Sequence, residues 1–538
     1  MRRRVLVSVL GIVVVAATAV IGMSFARGDD ASPDVPKLVD ETRAAGVDHV
    51  YGGEFEFFVG GGVATFDCSG DAKPELFFAG GVNASGLYLN RSETGGPLKF
   101  EKKPSAVTEL PYVTGAYPLD IDGDEILDLV VLRRGGNAIL RGLGDCTFED
   151  ATAALGVDPG NAWTVSFAAT WERGAERPTL AFGNYLVPDT YDCDASALWR
   201  PSGKGYSQPV ALPGHCTLSM LFSDWNRDGG VDLRVSNDRN YDRAAREQLW
   251  RIRPNEEPRE YEIVDGWRDL TIWGMGIASF DLTGDGKPEV FLTSQADNKL
   301  QTLDTDASGP AYRDIALERG VIAQRPYVGG DVLPSTAWHP EFDDVNNDGI
   351  IDLFVSKGNV DAQIDYAKFD PNNLLLGRRD GTFVERGEQA GIANDSRSRG
   401  AALVDLNLDG LLDLVVVNRR VPVEIRRNVG TGTAEKPQAM GRWLALRLHQ
   451  PAPNTGAVGA IVEMRVGDAI TTREVTVGGG HASGDAGWMH FGLGDAQRAD
   501  VRVTFPGTKP SEWFAVDSNS FYDVKRGDGA PIPWAPGD

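Results

Sequence analysis

The stretch Asp344-Val345-Asn346-Asn347-Asp348-Gly349-Ile350-Ile351-Asp352, running into Leu353-Phe354-Val355, sets the reading of the whole chain. Side-chain oxygens fall at positions 1, 3, 5 and 9, with glycine at position 6. A hard cation such as Ca2+ takes about six to eight oxygen ligands at roughly 2.3–2.6 Å, and glycine permits the sharp turn that brings a backbone carbonyl among them. An EF-hand begins alike, but needs a bidentate Glu at position 12 and flanking helices. Here an apolar run bounded by Gly358 follows position 9, so the loop feeds a buried strand.

Aligned on the position 9 acid and the apolar run behind it, the same spacing recurs along the chain. Asp67, Ser69, Asp71 and Glu75 precede Leu76-Phe77-Phe78. Asp120, Asp122, Asp124 and Asp128 precede Leu129-Val130-Val131. A degenerate third copy keeps the strand but places Trp171, Arg173, Ala175 and Thr179 at the ligand positions. Asp224, Asn226, Asp228 and Asp232 form the fourth loop, and Asp281, Thr283, Asp285 and Glu289 the fifth. The opening stretch is the sixth, with Asp344, Asn346, Asp348 and Asp352, and Asp405, Asn407, Asp409 and Asp413 make the seventh. Ala72 and Glu125 replace the turn glycine in the first two loops. Six copies can coordinate and one cannot, which predicts about four to six Ca2+ ions. Nineteen Asp and Glu occupy ligand positions, and their mutual repulsion at close range demands a counter-ion.

The loops start 51 to 63 residues apart. A period near 50 residues with several strands per unit indicates a propeller or a solenoid. Each unit ends on a second landmark, as in Phe148-Glu149-Asp150 to Val157, Tyr312-Arg313-Asp314 to Val321 and Phe383-Val384-Glu385 to Ile392. The seventh unit lacks it, and the missing copy stands at the other end of the chain, as Leu38-Val39-Asp40-Glu41 to Val47. A closed ring explains this, because an N-terminal strand then completes the last blade and protects edges that would otherwise pair with another chain. The fold class expected is all-β: a seven-bladed β-propeller over residues 36–429, followed by a small C-terminal β-sandwich.

Composition agrees with many short strands, since the 538 residues include 64 Gly and 30 Pro. A net charge of -24 argues against a nucleic-acid partner. Arg2-Arg3-Arg4, the uncharged run from Val5 and Ser24-Phe25-Ala26 read as an export signal with a small-x-small cleavage site. The uncharged run is about 20 residues, long enough to span a bilayer if uncleaved. Residues 1–27 are therefore a signal peptide or an N-terminal membrane anchor, the only expected contact with a membrane. Either way the body is secreted, periplasmic or at the cell surface. Four cysteines suit an oxidising compartment and allow three pairings. Cys193 and Cys216 flank one insertion and are expected to pair, which leaves Cys68 with Cys146 across neighbouring blades.

A polar linker spans 430–440. Beyond it, Trp443 to Leu448, Ile461 to Val466 and Val501 to Phe505 alternate apolar and polar residues, as antiparallel strands with one wet face do. The β-sandwich is placed at 441–526 and a C-terminal tail at 527–538.

The acid-rich loop followed by an apolar strand resembles the FG-GAP/VCBS repeat of integrin-type propellers. Asn454-Thr455-Gly456-Ala457-Val458-Gly459-Ala460, Arg473-Glu474-Val475 with Gly478-Gly479-Gly480, and His490-Phe491-Gly492-Leu493-Gly494 resemble the ASPIC/UnbV domain. The pairing resembles the cartilage acidic protein family and its bacterial relatives over nearly the whole mature chain.

Scaffold calcium is the function the repeats imply, since a site that needs one metal gains nothing from a ring of them. Phe57, Phe58, Tyr112, Trp163, Trp273, Trp338 and His339 lie just before the loops, on segments expected to open on the opposite face of a propeller. They could stack on a glycan or seat an extracellular protein's peptide, or simply fill the channel. No Gly-x-Ser-x-Gly, His-Glu-x-x-His or phosphate-cradling glycine loop is present, and the six histidines are scattered. The expectation is a non-catalytic binding or adhesion module. The alternative is a polysaccharide-acting lyase or hydrolase with its site at the channel mouth, as in some calcium-rich propellers the chain resembles.

Overall fold

In all seven copies the position 9 residue is the first of a strand: Glu75, Asp128, Thr179, Asp232, Glu289, Asp352 and Asp413. Each pairs with the last residue of the strand before it: Phe66, Leu119, Thr170, Ser223, Phe280, Asp343 and Val404. Every loop is thus the turn between the first and second strands of an antiparallel sheet. The computed structural model describes residues 33–537 except 159, 240, 243, 305–308 and 362. The export signal or anchor read over residues 1–27 lies outside the described residues.

Seven such sheets, each with four strands from the repeat, form the blades. Their innermost strands are Val63–Phe66, Val113–Leu119, Thr164–Thr170, Thr217–Ser223, Gly274–Phe280, Ala337–Asp343 and Ser398–Val404. Each packs on the next, and the last packs back on the first, so the ring is closed. Most are buried along their full length, which is why they read as unbroken runs of apolar and small residues. The ring closes as the sequence predicts: Leu38–Asp40 pairs with Glu424–Asn428 as the outer strand of blade seven. Cys68 is bonded to Cys146 and Cys193 to Cys216. The first tie holds the blade-one loop to a turn of blade two and closes 78 residues, which on a chain-entropy estimate stabilises by about 4 kcal/mol.

The C-terminal part has two four-stranded sheets. Arg442–His449 lies between Met489–Gly494 and Ser520–Lys525 in one, and Ile461–Val466 between Ala469–Glu474 and Arg498–Thr504 in the other. Leu444, Leu446, Val462, Met464, Phe491, Val501 and Val503 fill the core between them. Ile532–Trp534 adds an outer strand within the stretch read as a tail. The sandwich therefore runs past residue 526, because Trp534 packs on Trp488 and Phe521 at 5.1 and 5.5 Å.

One segment leaves the sandwich and enters the ring. Gly484–Ala486 pairs in parallel with Val63–Phe66 as a fifth strand of blade one. Bridges join Val477 to Ala169, Gly478 to Leu221, Gly480 to Ile277 and Ser483 to Ala116. The channel is thus plugged by backbone, and glycine is what fits. A Cβ on Gly62 would stand 1.8 Å from the Ala482 carbonyl oxygen. Gly478 has φ +129°, and its Cβ would lie 2.7 Å from the Met220 carbonyl oxygen. His481 sits at the centre, fully buried; the Gly60 N–H donates to its Nε2 at 3.0 Å, so its Nδ1–H donates to the Met275 carbonyl at 3.0 Å. Burial lowers its pKa to about 3.

Two outcomes follow from the plug. Gly478→Ala should cost about 1–3 kcal/mol of stability in denaturant titration, with earlier proteolysis of residues 475–489. His481 stays neutral in the fold but protonates in the unfolded chain below about pH 6.5. It therefore removes stability as pH falls from about 6.5 toward about 3, by about 1.4 kcal/mol per pH unit. His481→Asn should flatten the stability–pH curve by that amount between pH 6.5 and 5, read against the parent protein.

Candidate metal centre and channel mouth

The six acid loops share one hydrogen-bond frame. The position 1 carboxylate accepts the N–H of position 6 at 2.7–2.9 Å, from Ala72 to Asp67, Glu125 to Asp120, Gly229 to Asp224, Gly286 to Asp281, Gly349 to Asp344 and Gly410 to Asp405. All six donors have positive φ, including Ala72 (66°) and Glu125 (69°), so the geometry survives the two departures from glycine. The position 9 carboxylate accepts the N–H of position 2 in five loops, as from Val345 to Asp352 at 3.0 Å and from Leu406 to Asp413 at 3.1 Å. In the fourth loop the Trp225 indole N–H takes that place on Asp232 at 2.7 Å.

These bonds leave donor oxygens free to face inward. Glu75 Oε1, Asp122 Oδ1 and Asn407 Oδ1 are buried at ligand positions with no hydrogen-bond partner. One carboxylate oxygen each of Asp120, Asp122 and Asp124 lies within 4.8 Å of the others. Burial and neighbouring carboxylates push Asp344, Asp352, Asp405 and Asp413 well above the usual range; burial raises Glu75 and Asp128 to about 7 and Asp224 to about 6. Asp281, Glu289, Asp348 and Asp409 rise as well, chiefly by burial. An all-oxygen set of this kind fits a hard divalent cation, which would do for the ionised groups what a proton does otherwise.

Basic side chains divide the loops in a way the loop motif does not show. In the third copy Glu172, at position 2, accepts Thr179 Oγ1 at 2.8 Å and pairs with Arg200 at 2.7 Å, so a guanidinium balances the Glu172 carboxylate at this turn. Arg141 binds Asp122 and Asp124 at 2.9 and 3.1 Å in the second loop. Arg253 binds Asp232 and Asp228 at 2.6 and 3.6 Å in the fourth, and Lys73 pairs with Asp71 in the first. Among the described residues, no ion pair reaches the ligand positions of loops five, six and seven. Arg141, Arg200 and Arg253 lie on or just beyond the third strands, outside the motif but recoverable from it by counting one strand further.

The sandwich sits on this face. Thr455 Oγ1 donates to Asp120 at 2.5 Å, and Glu474 accepts the Asp224 N–H at 3.0 Å and pairs with Arg227 at 2.8 Å. His490 Nε2 donates to Asn347 Oδ1 at 2.6 Å, and Trp443 packs beside Leu408. Between the domains lies a cavity of about 1200 Å³. His339, Glu341 and Asp485 line it, and His339 Nε2 stands 3.4 Å from Glu341.

On the opposite face, Phe57, Trp163 and Trp338 are buried, Phe58 and Trp273 are half-buried, and Tyr112 is 46% exposed, whereas His339, also buried, faces the inter-domain cavity instead. Trp338 stacks edge-on to His481 at 5.0 Å and lies under Arg399 at 3.9 Å. These residues do not form one open ring. Trp163 and Trp338, packed with Val59, Leu218 and Met275, close the channel on this side, while the sandwich's glycine segment closes it on the other.

The FG-GAP-like repeat profile matches residues 344–416, and the ASPIC and UnbV profile matches residues 450–531. Cartilage acidic protein 1 of Mus musculus is 29% identical over 163 residues, 28% of this chain, and that of Homo sapiens is 29% identical over 175 residues, 29% of this chain. The chain spans 22% of the length of each of these curated relatives. Among solved structures, BBS1N in complex with ARL6DN has a TM-score of 0.43 at 12% identity, over 74% of this chain and 99% of that one. A lectin of Agrocybe aegerita that recognises non-reducing terminal N-acetylglucosamine has a TM-score of 0.38 at 16% identity, over 66% of this chain and 88% of that one. Likenesses at that level say nothing about what this chain binds. The two profile matches and the two curated likenesses, met in a ring of blades with a sandwich docked on it, support the resemblance to the cartilage acidic protein-like family.

Proposed function

We propose that the chain is an exported, calcium-stabilised propeller that acts as a non-catalytic binding or adhesion module, at the cell surface or outside the cell, toward a protein or a glycan. The observation that carries this reading is the common frame of the six acid loops, with no direct ion pair at the ligand positions of three of them among the described residues. Calcium there holds the turn between the first two strands of a blade and relieves the buried carboxylates of their mutual repulsion. Two disulfides and the likeness to cartilage acidic protein 1 support a place outside the cytoplasm. A channel closed from both ends supports binding on outer surfaces over chemistry at the axis.

The second reading, an enzyme acting on polysaccharide, is favoured by the His339–Glu341 pair beside Asp485 in the inter-domain cavity. Incubation with uronic-acid polysaccharides separates the two, because the module retains them or ignores them and releases no unsaturated product, whereas a lyase does release it.

Stripping divalent ions should lower the melting midpoint and calcium should restore it, by about 2–3 °C per tightly held ion at saturating concentration. Metal analysis should find at least the three ions of loops five to seven. Asp352→Asn and Asp413→Asn should each lose one ion and part of the thermal gain, while Thr179→Val should lose none. A melting curve indifferent to both chelator and calcium would overturn the metal assignment.

A further inference from the structure

The face opposite the acid loops carries an imbalance of charge. Arg397 pairs with Asp361 Oδ1 at 3.0 Å, and Arg420 and Arg419 approach the same oxygen at 3.6 and 3.7 Å. Arg399 is wholly buried and, among the described residues, donates only to backbone carbonyls, those of Phe58, Ser398, Val360, Asn359 and Gly358. Arg419 lies over the Phe58 ring at 4.6 Å and donates to the carbonyls of Val360 and Gly53. Among the described residues, Glu54 is the one further carboxylate paired with these arginines, through Arg420. Four guanidinium groups therefore meet two carboxylates, in a chain of net charge -24. Burial, and then the neighbouring Arg420, bring Arg419 down to about 10.

Two of the four arginines are committed to the interior and two reach solvent. The side chains of Arg397 and Arg420 are 32% and 36% exposed. Arg420 is held at φ 60°, a conformation usually given to glycine, so its side chain is projected from a tight turn. Glu54 is 83% exposed in its side chain, and among the described residues its carboxylate is held by the Arg420 contact alone. The adjoining loops expose aliphatic side chains: Val421 after Arg420, Ile364 beyond Asp361, and Val82, whose N–H donates to the Gly52 carbonyl.

We propose that this mouth docks an acidic segment of a partner protein, whose carboxylate takes the place of Glu54 against Arg420 and Arg397 while neighbouring apolar side chains cover Val82, Val421 and Ile364. This rests on the binding-module reading and names the chemistry of its partner. Guanidinium groups held by fixed carbonyls present a planar fork matched to carboxylate, and the approach of an acid relieves their repulsion. The aliphatic surround favours a peptide over a sugar: Trp163 and Trp338 are buried and Phe58 lies under Arg419, so their faces are not open for stacking.

The test uses the calcium-loaded full chain and fluorescence anisotropy with a labelled peptide of alternating Leu and Glu, its Leu and Gln counterpart, and an oligogalacturonate of equal charge. The acidic peptide should bind with a Kd that weakens as salt rises, and the Gln peptide about tenfold more weakly. Arg420→Gln and Arg397→Gln should each weaken the acidic peptide about tenfold, Glu54→Gln should tighten it several-fold, and Arg465→Gln on the sandwich should leave it unchanged. Equal binding of the two peptides, no binding by a protein whose melt is unaltered, or binding of the oligogalacturonate alone would overturn the proposal. Release of unsaturated product from the oligogalacturonate would instead overturn the non-catalytic reading.

Discussion

A carboxylate that accepts the amide five residues further on, at a residue with positive φ, recurs at the same corner of six blades. That bond fixes the angle at which the first strand turns back as the second, and the position 9 acid then fixes the register between them. A slip of one residue would turn every apolar side chain of the strand to the wrong face of its blade. Packing between blades depends on that register, because the core clusters are shared by adjacent sheets. The arrangement concentrates negative charge where the chain bends most sharply, so stability at these corners depends on what neutralises them. The third blade shows that the fold accepts an internal answer, with Glu172, Thr179 and Arg200 holding the same turn by ordinary hydrogen bonds and an ion pair.

The sandwich is part of the same problem. Its residues bond to the corners of several blades, and its glycine segment supplies the backbone partners that the innermost strands of a ring lack on their inner side. Propeller and sandwich are therefore coupled through main-chain hydrogen bonds as well as through surface complementarity. From Asp34 onward the chain forms one compact unit, although each part has its own hydrophobic core.

Much of this was legible in the sequence, and for a physical reason. The blades are local: a loop of fixed spacing, an apolar strand behind it and a closing landmark all fall within one repeat. Ring closure by Leu38–Asp40 could be inferred because one landmark was displaced to the other end. The plug was not legible, since Gly478 to Ser483 act through backbone contacts with strands hundreds of residues away, and three glycines in a row state flexibility without naming a neighbour. The basic partners of the loops were missed because Arg141 lies on the third strand of its blade and Arg253 just beyond the third strand of another, outside the loop motif. Aromatics read as a candidate ring proved to differ in burial, which spacing along the chain cannot report.

The plug has one more consequence, for the order in which the molecule is made. The segment at the hub of the wheel, Val477 to Ala486, follows all seven spokes in the chain, and the rim strand of the last spoke precedes them all. A polypeptide that emerges from its N-terminus must keep that first strand waiting until about residue 428, and the axle can be seated only after that. Completion of the centre is thus deferred until the segment from Val477 to Ala486 has been made, and any earlier intermediate has a hollow middle.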